Sequence, residues 1–128
     1  SGDAAYTRVY RDIVVPALQR FAPDCILVSA GYDAHWEDPI GTCALSVAGY
    51  TSIMQALWQC AQQICAGRMA VILEGGYHLA ALAAGVHATL STLAGVPPLP
   101  DQLGSVPSDP RAGDDTIQWL QRNHPLCV

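Results

Sequence analysis

Asp33 and Tyr77 are the residues of this sequence best set up to do chemistry. Each follows a short apolar run that stops at glycine. Residues 25–40 read CILVSAGYDAHWEDPI, and residues 69–79 read MAVILEGGYHL. A carboxylate two residues past Gly31 can ligate a hard or borderline divalent cation. It can equally cap the amides of its own loop. A phenol after Glu74-Gly75-Gly76 can donate a hydrogen bond to a developing oxyanion. Paired glycines let the backbone approach a ligand closely or take positive φ. The ordinary alternative is a helix-start tyrosine packed on the core.

The other polar candidates are less specific. Asp33-Ala34-His35 has a metal-type spacing, but loop side chains at i and i+2 need not point together. A surface or supporting role for His35 is the competing account. His78 opens a helix and His87 lies inside one, so both read as structural or solvated. His124 receives no role. Glu37, Asp38 and Glu74 add negative charge to the same region, which attracts cations in general.

The elements that must position Asp33 and Tyr77 follow from periodicity. Apolar runs of this length, bounded by glycine, fit parallel strands buried on both faces. Ligands of open parallel sheets bind beyond the carboxyl ends of the strands. If 26–30 and 69–73 pair side by side, Asp33 and Tyr77 emerge on one rim. Between them, Ser46 is a good N-cap. The stripe from Val47 through Tyr50, Ile53, Met54, Leu57, Trp58, Ala61 and Ile64 to Cys65 is helical, with Gly67 as C-cap. Strand, helix and strand form a βαβ unit.

Asp3 is expected to cap a first helix reaching about Phe21, with Pro16 kinking or shortening it. A helix over about 78–93 is expected to bury Leu79, Leu82, Ala83, Val86, Leu90 and Leu93, and to stop at Gly95. A proline-rich connector follows. Asp114 or Asp115 then caps a short helix with Ile117, Trp119 and Leu120. The division is 1–95 for the main α/β portion, 96–113 for the connector, and 114–128 for a terminal helix and tail packing on the same domain. Two parallel strands make a poor sheet, because such strands need neighbours and covered faces. The chain is therefore expected to join a larger sheet, as a homo-oligomer or with further sequence.

Totals exclude several classes. The 128 residues suit one domain. Hydrophobic residues make up 51% and charged residues 13%, which disfavours disorder. Lys and Arg number 6 against 11 Asp and Glu, for a formal charge of -5. Without a basic patch, direct nucleic-acid binding is disfavoured. No apolar run approaches a membrane span and no signal peptide opens the chain, so the expected location is cytoplasmic. The 5 cysteines include no C-x-x-C pair. They read as reduced, mostly buried thiols rather than zinc ligands.

The strings SAGYDAHWEDPIG at 29–41 and LEGGYHL at 73–79 resemble the histone deacetylase superfamily. The closer likeness is to bacterial class-II-like deacetylases and acetylpolyamine amidohydrolases. It extends from Gly2-Asp3-Ala4-Ala5-Tyr6 through LSVAGY at 45–50 to Leu93-Ala94-Gly95. The resemblance implies a three-layer, arginase-like α/β fold, present in part. It implies a zinc-dependent hydrolase of acetyl-amides, acting on acetylated lysine or polyamine-type substrates. Asp33 matches the aspartate zinc ligand. Tyr77 matches the tyrosine that polarises the acetyl carbonyl. Gly75 and Gly76 match the glycines shaping the acyl-lysine tunnel, and Ile40 matches a substrate-contacting rim position. No histidine of this chain matches a family ligand or base. The family's Asp-x-His ligand pair and His-His dyad have no counterpart here. The chain thus reads as the carboxyl-terminal half of a deacetylase domain, neither holding zinc tightly nor active alone. The alternative is a non-catalytic, self-associating α/β module.

Overall fold

The computed structural model describes residues 1–126, so Cys127, one of the expected thiols, lies outside the described residues. Helix α1 (Asp3–Val9) runs through a π-helical turn (Tyr10–Val14) into α2 (Val15–Phe21). Strand β1 (Ile26–Ala30) follows, then α3 (Val47–Cys65), β2 (Met69–Leu73), α4 (Leu79–Ala94) and α5 (Asp114–Asn123). Among the described residues no helix is long and apolar enough to cross a membrane.

The first helical stretch spans the expected residues, with different local chemistry. Gly2 occupies the N-cap, and Asp3 lies in the first turn. The Asp3 carboxylate instead accepts hydrogen bonds from Ser46 N at 2.8 Å and Ser46 Oγ at 2.6 Å. Ser46 in turn caps α3, its Oγ accepting from Gly49 N at 3.2 Å. Asp3 thereby ties the start of α1 to the start of α3. Pro16 does not end the helix. Proline cannot donate, and its ring crowds the carbonyl four residues back. The wider π turn absorbs this, with Val15 N–H bonding Tyr10 O, five residues back.

The α3 helix ends on Ala66 and Gly67, both with positive φ, so the left-handed turn begins one residue before the expected glycine. β1 and β2 pair in parallel with Ile26 opposite Met69 and Ala30 opposite Leu73. One face of this ribbon packs on helices. Ile26, Ala61 and Cys65 are buried there with Leu18, Val28, Trp58 and Met69 around them, beside a cluster of Leu45, Ile53 and Leu57. Cys60 and Cys65 are buried as expected, whereas Cys25 is exposed.

The opposite face overturns the expectation of strands buried on both sides. Leu27, Ser29, Ala70 and Ile72 alternate along it and all are exposed. Leu27 keeps 72% of its surface accessible. Covering one leucine side chain stabilises by roughly 2 kcal/mol, so this face is a large reserve of association energy.

Helix α4 also buries a different set than the leucine pattern predicted. Ala81, Gly85, Ala88, Thr89 and Ser91 are buried, while Leu79 and Leu90 stand 78% and 60% exposed. The cause is close approach. A Cβ on Gly85 would lie 2.4 Å from Tyr32 Cδ1. The buried Tyr32 hydroxyl also bonds Thr89 Oγ1 at 2.8 Å, which stabilises by about 1 kcal/mol. Small residues let α4 sit tightly on the turn after β1, while Leu79 and Leu90 face outward and Leu82 and Leu93 are half-buried.

Residues 96–109 contain no helix or strand. Trp36 Nε1 donates to Gly104 O at 3.1 Å, which attaches this connector to the loop after β1. Helix α5 is capped by Gly113 in the left-handed region, not by an aspartate side chain; Asp114 and Asp115 fill its first turn. Arg8 joins α1 to this region through Pro110 O, Ala112 O and Asp114, the last at 2.7 Å.

Candidate functional site

The ladder between the strands continues just past their ends. Glu74 N donates to Ala30 O at 3.0 Å, and Tyr32 N donates to Gly75 O at 2.8 Å. The chain then leaves both strands on the same rim, which is where the sequence placed Asp33 and Tyr77. The Asp33 carboxylate lies in a notch between two glycines. A Cβ on Gly31 would meet Asp33 Oδ1 at 2.8 Å, and one on Gly75 would meet Oδ2 at 2.7 Å. Any larger residue at Gly75 displaces the carboxylate. Gly76 has φ of +135°, a conformation that favours glycine, and it turns the chain into Tyr77. Tyr77 is 54% exposed and Ile40 65% exposed, both at the open edge.

On its inner side Asp33 lines a cavity of about 290 Å³, together with Tyr6, Tyr10, Tyr32, Tyr50 and Thr89. Burial, aided by the Cys43 thiol at 3.3 Å, pushes the Tyr6 phenol up to about 12. Burial likewise raises Tyr10 and Tyr50. The wall facing Asp33 is therefore made of neutral phenols. Tyr77, Ile40 and Gly76 do not line this cavity. A second cavity of about 360 Å³ lies between α4 and residues 99–103 and holds none of these residues.

His35 is fully buried, not a surface residue. Its Nδ1 accepts from Glu37 N at 3.2 Å, and burial pushes its pKa down. It stays a neutral part of the loop. His78 caps α4, its Nδ1 accepting from Ala81 N at 3.3 Å, so the proton sits on Nε2, 3.5 Å from Glu37 Oε2. His87 is exposed.

The residue that sequence reasoning underrated is Asp38, which it took for generic rim charge. Asp38 is only 7% exposed. Its Oδ1 accepts from Ile40 N at 2.9 Å and Gly41 N at 3.0 Å. Its Oδ2 accepts from Tyr77 N at 2.8 Å and His78 N at 3.2 Å. Burial by itself would raise its pKa, but the four backbone donors outweigh it and hold the carboxyl down to about 2. The Asp-Pro step after a turn was the one local signal; the partners 39 residues away carry no local pattern.

This depression has a pH consequence. The folded value lies below the ordinary 3.8, so Asp38 stabilises the fold above about pH 4. That contribution is lost as the pH falls from about 4 toward 2. Urea unfolding midpoints are expected to drop across this window. In Asp38→Asn they are expected to start lower at neutral pH and fall less steeply.

The sequence motif implies zinc. Asp33 offers an anionic oxygen pair in a glycine-walled notch, which suits one ligand position. A catalytic zinc takes three protein ligands and a water. Among the described residues no group of three His, Cys, Asp or Glu side chains converges.

Residues 1–93 match the histone deacetylase domain family. Histone deacetylase 14, chloroplastic, of Arabidopsis thaliana is 44% identical over 95 residues, covering 74% of this chain and 22% of that protein. A probable deacetylase of Archaeoglobus fulgidus is 40% identical over 77 residues, covering 60% of this chain and 21% of that protein. Among solved structures, the HDA15 HD domain is similar with a TM-score of 0.75 and 36% identity, over 94% of this chain and 31% of that one. The histone deacetylase Clr3 gives a TM-score of 0.77 and 26% identity, over 99% of this chain and 21% of that one. The chain spans about a fifth of the length of the curated relatives it matches. A ribbon of two parallel strands with a helical layer, carrying the glycine-framed Asp33 notch and the Gly-Gly-Tyr turn, is thus a part of the arginase/deacetylase α/β fold, and this chain belongs to the histone deacetylase domain family.

Proposed function

We propose that this chain is the carboxyl-terminal part of a zinc-dependent deacetylase domain. In this reading Asp33 supplies one metal ligand and Tyr77 the oxyanion donor. Gly75 and Gly76 line the acyl tunnel, and Ile40 contacts the substrate at the rim. The substrate class is an acetylated lysine or polyamine-type amine. The observation that carries the reading is the Asp33 carboxylate packed against Gly75, two residues before Tyr77, at the paired carboxyl ends of β1 and β2. When bound, zinc polarises the acetyl carbonyl and acidifies its water. The remaining ligands and the base would come from the rest of the domain. This chain's part is to hold one negative ligand fixed and to donate the Tyr77 O–H to the developing oxyanion.

The test is a chimera in which the matching segment of this chain replaces the 95-residue counterpart in Arabidopsis histone deacetylase 14. Hydrolysis of an acetyl-lysine peptide by the folded chimera, at a rate within about tenfold of the parent, is the expected result. A folded, inactive chimera beside an active parent overturns it.

A second reading rests on the bare ribbon face of Leu27, Ser29, Ala70 and Ile72. That face suits association with the rest of a deacetylase domain or with a second copy of the chain. Light scattering on the 128-residue chain separates these. A dimer that Leu27→Lys dissolves supports self-association, and a monomer at all concentrations removes it.

A further inference from the structure

We infer that Asp38 is a positioning residue for Tyr77, one carboxylate that locks the oxyanion donor to the substrate rim. The inference rests on the deacetylase reading and deepens it. The phenol of Tyr77 makes no hydrogen bond among the described residues, and the side chain is 54% exposed. What orients it is its backbone. Gly76 immediately before it has φ of +135°, a flexible position that does not by itself fix the direction of the next side chain. The amides of Tyr77 and His78 are held by Asp38 Oδ2 at 2.8 and 3.2 Å.

The same carboxylate holds Ile40 N and Gly41 N through Oδ1. Its two oxygens therefore join the loop after β1 to the turn after β2, and join Ile40 to Tyr77. No cation pairs with Asp38 among the described residues; backbone amides alone balance its charge. Glu37, beside His78 Nε2 at 3.5 Å, adds a weaker tether between the same two segments. His78 is also the cap of α4, so the clamp fixes Tyr77 against the start of a 16-residue helix. An oxyanion donor displaced by about 1 Å loses on the order of 100-fold in turnover. A carboxylate in this place is the part that prevents such a displacement.

Two measurements test this. In the 128-residue chain, amide hydrogen exchange at Tyr77 and His78 is expected to be slow. In Asp38→Asn, whose amide offers one acceptor and a clashing N–H₂, it is expected to accelerate by about tenfold or more. Amides of α3 should accelerate far less, by no more than the fall in global stability measured by urea. Equal exchange rates in both proteins overturn the clamp. In the chimera, Asp38→Asn is expected to lower kcat by about 100-fold with KM within about threefold. In a Tyr77→Phe background the same change is expected to cost less than about threefold, because the group being positioned is already gone. Losses that multiply fully, or a rise in KM alone, reduce Asp38 to a loop staple and overturn the catalytic part. An unmutated chimera without activity overturns the deacetylase reading, and the catalytic part with it. The exchange experiment still decides the clamp itself.

Discussion

Tyr77→Phe is expected to lower kcat of the chimeric deacetylase by about 100- to 1,000-fold, with KM changed less than about threefold. The argument starts from what the hydroxyl does in the folded chain. It has no hydrogen-bond partner among the described residues, and its ring stands 54% exposed at the open rim. Removing it leaves no buried group unsatisfied, so the fold should not notice. The backbone amide, which Asp38 holds at 2.8 Å, is the same in phenylalanine. The apolar ring is the same in both residues. In the deacetylase reading proposed above, what disappears is one O–H donor to the developing oxyanion. Such an interaction appears in kcat and kcat/KM together and not in substrate binding. Zinc content and melting temperature should match the unmutated chimera. A loss of activity that tracks a fall in stability, or an unchanged kcat, removes Tyr77 from the chemistry.

The parts of the fold legible in the sequence are those whose determinants are local. Ser46 and the apolar stripe from Val47 to Cys65 form α3 as read, with the left-handed exit one residue early at Ala66. The two glycine-ended apolar runs became paired strands, and their order placed Asp33 and Tyr77 on one rim. Errors came where distant partners decide. Asp3 looks like a cap from its neighbours, yet its carboxylate serves Ser46, 43 residues on. Pro16, expected to kink or shorten the helix, is met by a local wide turn that lets the helix run on to Phe21. The α4 leucines look like a core face, because periodicity weighs hydropathy. The contact with Tyr32 instead selects residues small enough to come close, and Gly85 is the tightest of them. The expectation of doubly buried strands follows general parallel-sheet behaviour, and the exposed Leu27 face shows what this chain by itself does not cover. In the candidate site, the placement of Asp33 and Tyr77 just beyond the paired strand ends was legible from two glycine-ended strings. The clamp that Asp38 forms was not, since its four donors come from two segments that only the folded sheet brings together.

The second large effect concerns Asp33. In the chimera, Asp33→Ala is expected to weaken zinc binding by more than about 100-fold, since even supporting groups outside the ligand shell typically cost 10- to 100-fold. Metal content after dialysis should fall from stoichiometric to background, and deacetylation with it. Asp33→Asn is the sharper probe. It keeps the volume of the side chain in the notch between Gly31 and Gly75 but replaces an anionic oxygen by an N–H₂, which cannot ligate a cation. A packing role predicts that asparagine is tolerated; a ligand role predicts that it fails nearly as badly as alanine. Gly75→Ala supplies an independent arm. Its Cβ would lie 2.7 Å from Asp33 Oδ2, so the carboxylate must shift while keeping its charge. Intermediate zinc affinity is the expected result, because a ligand moved by a few tenths of an ångström still binds, but off the geometry a tetrahedral centre demands. Stoichiometric zinc with parental affinity in both Asp33→Ala and Asp33→Asn would show that the notch holds no metal ligand. The carboxylate would then be left as a cap on its own loop, the alternative its position after Gly31 has allowed from the start.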